Sequence, residues 1–273
     1  VEKIVLYKNG LTGSLPREVS LLSSLNHLDV GANKLFNYGA EGNEWLGDMT
    51  SLEKFSYGEN YFDYDGIPTQ ISKLTNLVEY DCSYTLYHGP LKDEAFAGLN
   101  KLKMLDISGN EFNSSIPDTL ASLPNLERLY AMEATLLGSF EFVTKMQVIK
   151  EMWVDYNGID GMIPPAIEQI KSLNSLSVGD NRLSGPIPKE MGKLTNLVQL
   201  WLYDNSLTGS IPEEIRALTN LETLYFSGND ISGAVPDGVC NLKTDAKLEK
   251  LVVDCGGDAV TCKCCDSCDY ESS

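Results

Sequence analysis

Two histidines, His27 and His88, are all the imidazole this 273-residue chain offers. Neither is matched to a serine or cysteine nucleophile, so neither a nucleophile–base pair nor a histidine zinc site is supported. Both read as surface residues. Carboxylates are plentiful, 39 against 21 lysines and arginines, for a formal net charge of −18. Pairs such as Asp155 with Asp180 or Asp204 have the residue types of glycoside hydrolysis, but that chemistry needs a closed cleft that lifts one carboxyl pKa. The acidic balance turns the chain away from nucleic acid and anionic membrane surfaces, and leaves cations, neutral glycans and basic proteins as partners. No apolar run is long enough to span a bilayer. The chain reads as a binding protein, not an enzyme, with no cofactor.

Sulfur is the other reactive chemistry. Cys240, Cys255, Cys262, Cys264, Cys265 and Cys268 fall within 29 residues. Their CxCCxxC spacing is unlike paired CxxC zinc sites and almost no histidine is near, so three disulfides are expected, in an oxidising compartment. The sequence leaves the pairing open. Adjacent Cys264 and Cys265 should not bond each other and should hold the tail at two different places. Cys82 is expected to be a buried free thiol. Calcium at Asp254, Asp258, Asp266 or Asp269 is a minor alternative, since no ordered ligand loop is present. The sequon Asn113-Ser114-Ser115 is a candidate glycosylation site.

What positions these residues is a period of about 24. The strings LNSLSVGDNRLSGPIPKEMGKLTN, LVQLWLYDNSLTGSIPEEIRALTN and LETLYFSGNDISGAVPDGVC superimpose without gaps. Starts at positions 1, 25, 52, 77, 102, 126, 149, 173, 197 and 221 give ten repeats over 1–247. Residues 248–273 hold a last half-repeat and a cysteine-rich cap, whose disulfides are expected to include Cys240. Each LxxLxL segment is a short strand with inward leucines that only stacked neighbours can cover. Length alone allows two domains, but the period predicts one elongated domain.

The pattern LxxLxLxxNxLxGxIPxxLxxLxN resembles the plant-type leucine-rich repeat family. That resemblance implies an α/β solenoid, a right-handed superhelix with a parallel sheet on its concave face and short helices or 3-10 turns on its convex face. Asn9, Asn33, Asn60, Asn110, Asn157, Asn181, Asn205 and Asn229 stand where the chain leaves the strand, and should form a ladder that satisfies backbone groups at the bend. Pro16, Pro68, Pro117, Pro164, Pro188, Pro212 and Pro236 are expected at the first helical position, with Glu18, Asp118, Glu213 and Asp237 following as the helix dipole prefers. Three repeats depart from the pattern. The second has NYGAEGNEWLGDMTS in place of the IP segment, the fourth has Thr85 on the ladder and a longer helix within TLYHGPLKDEAFAGL, and the sixth has Ala134 on the ladder and no proline. The tail, DCGG then CxCCxxC, is similar to that of secreted leucine-rich repeat proteins of diatoms and related algae.

Strand side chains alternate, so the residue between the last two leucines projects from the open side. That column reads Val5, Asp29, Ser56, Asp81, Asp106, Tyr130, Trp153, Ser177, Trp201, Tyr225 and Val252, small and acidic early and aromatic late. The next outward column adds Met132, Asp155 and Tyr203, with Tyr156, Asp180 and Asp204 beside them. These residues, from Tyr130 to Tyr225, form the candidate site: aromatic rings with nearby carboxylates suit sugar rings or a basic peptide. The alternative is that the rings only pack on each other across strands. The expected function is extracellular recognition and adhesion at a cell surface or wall, with a protein, peptide or polysaccharide as partner. Two alternatives are a structural subunit, whose uncapped first strand from Glu2 to Leu6 packs on a neighbouring chain or domain, and a wall-enzyme inhibitor or receptor ectodomain.

Overall fold

A computed structural model describes residues 1–37, 43–255 and 260–267. Its contacts group into two compact units, Val1–Leu136 and Leu137–Ser273, and each is a stretch of α/β solenoid. In the first, the strands Lys3–Val5, His27–Asp29, Lys54–Ser56, Glu79–Asp81, Met104–Asp106 and Arg128–Tyr130 pair in parallel. In the second, Glu151–Trp153, Ser175–Ser177, Gln199–Trp201, Thr223–Tyr225 and Lys250–Val252 do the same. Three residues suffice because each strand presents one inward apolar side chain between two outward ones. Met152, Leu176, Leu200, Leu224 and Leu251 are buried in succession, so stacking rather than strand length holds the sheet.

The LxGxI segment makes a second parallel sheet in the second unit, with strands Leu137–Ser139, Gly158–Met162, Arg182–Pro186, Ser206–Gly209 and Asp230–Ile231. In the first unit the described residues show only the pair Thr12–Gly13 and Lys34–Leu35 and isolated bridges there. That follows from the irregular repeats, which lack the regular LxGxI spacing. The 27-residue second repeat carries a 3-10 helix at Asn43–Asp48, and its residues 38–42 lie outside the described residues. The fourth does not contain the longer helix expected: Asp93–Phe96 is a single α-turn.

Proline stands one residue earlier than expected. Pro16, Pro68, Pro117, Pro164, Pro188, Pro212 and Pro236 precede their helices with ψ between 125° and 153°. Their fixed φ serves the extended approach, and in six of the seven the carbonyl accepts the first i→i+3 bond, as from Ile167 N to Pro164 O at 2.9 Å, while Pro117 O accepts from Ala121 N at i→i+4. The acidic residues Glu18, Asp118, Glu213 and Asp237 do fall in first turns.

The asparagine ladder is present. Asn181 Nδ2 donates to the carbonyls of Val154, Val178 and Gly179, and its Oδ1 accepts from Ile159 N at 3.0 Å. Thr85 occupies the ladder position with its single hydroxyl proton directed to Asn110 Oδ1 at 2.7 Å, while Cys82 O lies 3.2 Å from the same oxygen. The residue just before the ladder position has positive φ in all ten repeats: Lys8, Ala32, Glu59, Tyr84, Gly109, Glu133, Tyr156, Asp180, Asp204 and Gly228. One left-handed residue per repeat turns the chain out of the strand, and only two of the ten are glycine.

The first unit also holds a polar core that the leucine pattern conceals. Tyr57, Tyr80 and Tyr87 are buried, and the Tyr57 hydroxyl bonds both the Tyr80 and Tyr87 hydroxyls, the latter at 2.7 Å. Burial pushes all three phenols and the adjoining Cys82 thiol well up. Cys82 is free and buried, as its place in the strand predicts.

Candidate functional site

The predicted site residues divide between the units. Tyr130 and Met132 lie half-buried in the first; the rest belong to the second. Its register sets Trp153, Ser177, Trp201, Tyr225 and Val252 side by side, with Glu151, Ser175, Gln199, Thr223 and Lys250 as the parallel row. Both indoles are anchored. Trp153 Nε1 donates to Ser175 Oγ at 2.8 Å, and Ser175 Oγ donates onward to Gln199 Oε1 at 2.9 Å. Trp201 Nε1 donates to Thr223 Oγ1 at 2.7 Å. Each tryptophan thus leans onto a hydroxyl of the following strand. Trp201 and Tyr225 meet edge to face, their centroids 5.7 Å apart. Ser175 and Thr223 are the supporting residues that the sequence analysis missed. They occupy the outward column on the other side of the inward leucine, and reading that column beside the tryptophans would have exposed them.

Three expectations about exposure fail. Asp155 is only 3% exposed, and Ser177 and Val252, from the projecting column, are buried as well. Asp155 Oδ1 accepts from Ser177 Oγ, from Gly179 N at 3.0 Å and from Tyr203 Oη at 3.2 Å. Tyr203 lies against Gly179, where a Cβ would fall 2.2 Å from its Cζ. The alternation rule sends Asp155 outward correctly, but larger neighbours close over it. Desolvation raises the Asp155 pKa against the opposing pull of its hydrogen bonds, Ser177 foremost. Burial and the Tyr156 and Asp155 side chains push the Tyr203 phenol up. Asp155 lies beneath the surface, and Tyr156, Asp180 and Asp204 around it are exposed. Burial, then Asp180 and Asp254, raise the Asp204 pKa.

The remaining candidates scatter. In the first unit Asp29, Asp81 and Asp106 each accept from the backbone N–H two residues on, at 3.0 Å, so the early acidic column is occupied in building turns. His27 is held below its ordinary pKa by burial, then Lys3 and Lys54, and His88 pairs with Asp63 at 3.1 Å. Asn113 is exposed, with φ 48°. Of the calcium candidates, Asp254 Oδ2 accepts from Asn229 N and Asp266 Oδ2 from Leu251 N and Lys243 Nζ, while Asp258 and Asp269 lie outside the described residues. Cys240 bonds Cys264, Cys262 bonds Cys265, and Cys255 is disulfide-bonded. Cys264 and Cys265 do not bond each other, as expected, but only Cys264 ties the tail to another part of the chain; Cys265 closes a local loop to Cys262 within the tail. Cys268 lies outside the described residues. No helix among the described residues is long and apolar enough to cross a membrane.

Leucine-rich repeat family models match residues 90–133, 172–194 and, as two copies, 195–236. The chain is 30% identical over 200 residues to receptor-like protein 34 of Arabidopsis thaliana and 29% identical over 147 residues to receptor-like protein 41 of the same plant. These alignments cover 65% and 52% of this chain but 20% and 16% of those proteins. With the repeat and the parallel sheets, these matches make the chain a leucine-rich repeat protein of the plant type. Among solved structures, a TDR receptor superposes with a TM-score of 0.82 at 28% identity, over 92% of this chain and 42% of that one. The Arabidopsis receptor kinase HAESA, in complex with the peptide hormone IDA and the co-receptor SERK1, gives 0.74 at 26%, over 93% and 46%. A plant ice-binding protein gives 0.74 at 23% identity, over 93% and 80%, and shows likeness of fold alone.

Proposed function

We propose that this chain is an extracellular recognition segment of a receptor-type leucine-rich repeat protein, and that it meets its ligand on the outward face of the second unit's strands. The observation that carries this reading is the platform of Trp153, Trp201 and Tyr225, in which neighbouring hydroxyls hold the indoles in place while part of each ring stays exposed. Aromatic groups locked before binding lose little entropy on contact, and such anchors dominate interface energies. Because both indole N–H groups are already bonded, the ligand is read through ring faces and through the exposed carboxylates of Asp180 and Asp204. That favours a peptide or protein segment with basic and apolar side chains over a polysaccharide, which needs many unengaged polar partners. The likeness to HAESA, bound to a peptide hormone, supports the same class. Adhesion would be the same contact made to an immobile partner.

The test is capture from native extracellular material by the wild-type chain and by the Trp153→Ala/Trp201→Ala variant, with circular dichroism confirming that both are folded. A protein or peptide retained by the wild type and lost by the variant is the expected result. Equal retention by both would remove the platform from the function.

A further inference from the structure

We infer that the first unit carries a separate binding surface on its flank, centred on Tyr84, that takes an arginine side chain of an extended basic peptide. Four successive repeats place Glu59, Tyr84, Gly109 and Glu133 at the left-handed position before the ladder, with φ of 53°, 47°, 64° and 52°. A tyrosine there is strained, since in the left-handed conformation a Cβ crowds the following carbonyl oxygen. Its ring is laid flat on the next repeat: a Cβ built on Gly109 would fall 2.2 Å from Tyr84 Cδ1. One face of the phenol rests on backbone and the side chain remains 47% exposed.

Two adjoining depressions, of about 430 and 470 Å³, share Tyr84 as a wall. Glu59 stands in the first and Glu111 and Glu133 in the second, so carboxylates bracket the ring on both sides. Among the described residues, none of these three glutamates has an ion-pair partner, and His88, the one base lining the second depression, is engaged by Asp63. Tyr61 and Leu86, 53% and 54% exposed, extend the apolar floor. An aromatic face between unpaired carboxylates matches a guanidinium, which stacks flat on a ring while its fork of N–H groups reaches acids at the edge. A lysine ammonium would find the charge but not the stack. Glu59 and Glu133 are three strand steps apart, about 14 Å, which is the reach of about four extended residues. The surface lies in the other unit from the tryptophan platform, so the two proposals fail independently.

The probe is the peptide acetyl-Gly-Arg-Gly-Arg-Gly-amide, with lysine and glutamate versions, titrated into the isotopically labelled chain and followed by amide chemical shifts. The expected result is movement at Tyr84, Leu86 and Glu111, weaker binding of the lysine peptide and none of the glutamate peptide. Tyr84→Gly places at this site the residue that Gly109 and Gly228 supply in their repeats, and should preserve the fold while weakening the arginine peptide about fivefold. Glu59→Gln with Glu133→Gln should weaken it about tenfold at low salt. Affinity unchanged in Tyr84→Gly, or shifts confined to the Trp153–Tyr225 surface, would overturn the assignment. Concentration-dependent dimerisation abolished by Leu86→Asp would assign the patch to a second copy of the chain and overturn it as well.

Discussion

Gly179→Ala should destabilise the second unit, although Gly179 is not one of the positive-φ glycines. The added methyl would sit 2.2 Å from Tyr203 Cζ and 2.3 Å from Cε1, well inside contact distance, so the ring must lift. Lifting it breaks the Tyr203 hydrogen bond to Asp155 and admits water to a carboxylate that is 3% exposed. Overpacking of this kind costs about 1–3 kcal/mol, and a hydrogen bond to a charged acceptor lies in the same range, about 1.5–3 kcal/mol. The net expectation is a loss of about 2 kcal/mol. Urea unfolding followed by circular dichroism reads it, with the near-ultraviolet tyrosine signal reporting the displaced ring. The decisive arm repeats the substitution in a Tyr203→Ala background, where the methyl has nothing to strike. There it should cost less than about 0.5 kcal/mol, leaving a coupling of more than about 1 kcal/mol between the two positions. Equal cost in both backgrounds would refute the claim that the ring rests on Gly179.

Thr135 is β-branched and has φ 52°. Replacing it with glycine should raise stability in urea by about 0.5–1 kcal/mol, the left-handed strain relieved less the entropy returned to the unfolded chain. Asp155 has a folded-state pKa above its unfolded value, so the folded state binds the proton more tightly. Its contribution is full below the unfolded pKa and declines as pH rises through the folded one. Thermal melts from pH 3 upward should show this component of the slope removed by Asp155→Asn. The disulfide Cys240–Cys264 spans 24 residues and Cys262–Cys265 spans three. Replacing both members of the first pair with serine should therefore cost about 3.5 kcal/mol and of the second about 2 kcal/mol, measured by chemical unfolding of the cap.

The repeat made the fold legible, because each consensus position has one mechanical duty. Leu176 must be covered, Asn181 must satisfy the bend, and the cysteines must lock the tail. The concealed features arise where neighbouring repeats act on one another. Asp155 sits at an outward position, yet Tyr203 from two repeats on covers it, and no single repeat contains both. The hydroxyl cluster likewise joins two repeats, Tyr57 from the third meeting Tyr80 and Tyr87 from the fourth. Proline's place before the helix, not within it, depends on ψ, which proline does not fix. The left-handed column escaped notice because residues as unlike as Lys8, Ala32 and Tyr84 fill it.

The pairing of each tryptophan with a hydroxyl on the following strand recurs after two repeats: Trp153 with Ser175, then Trp201 with Thr223. One repeat inserted between Trp153 and Trp201 would leave every leucine buried, yet it would set the two indoles one strand spacing, about 4.8 Å, further apart. The solenoid is indifferent to its own length, whereas the spacing of its aromatic rings counts every repeat between them.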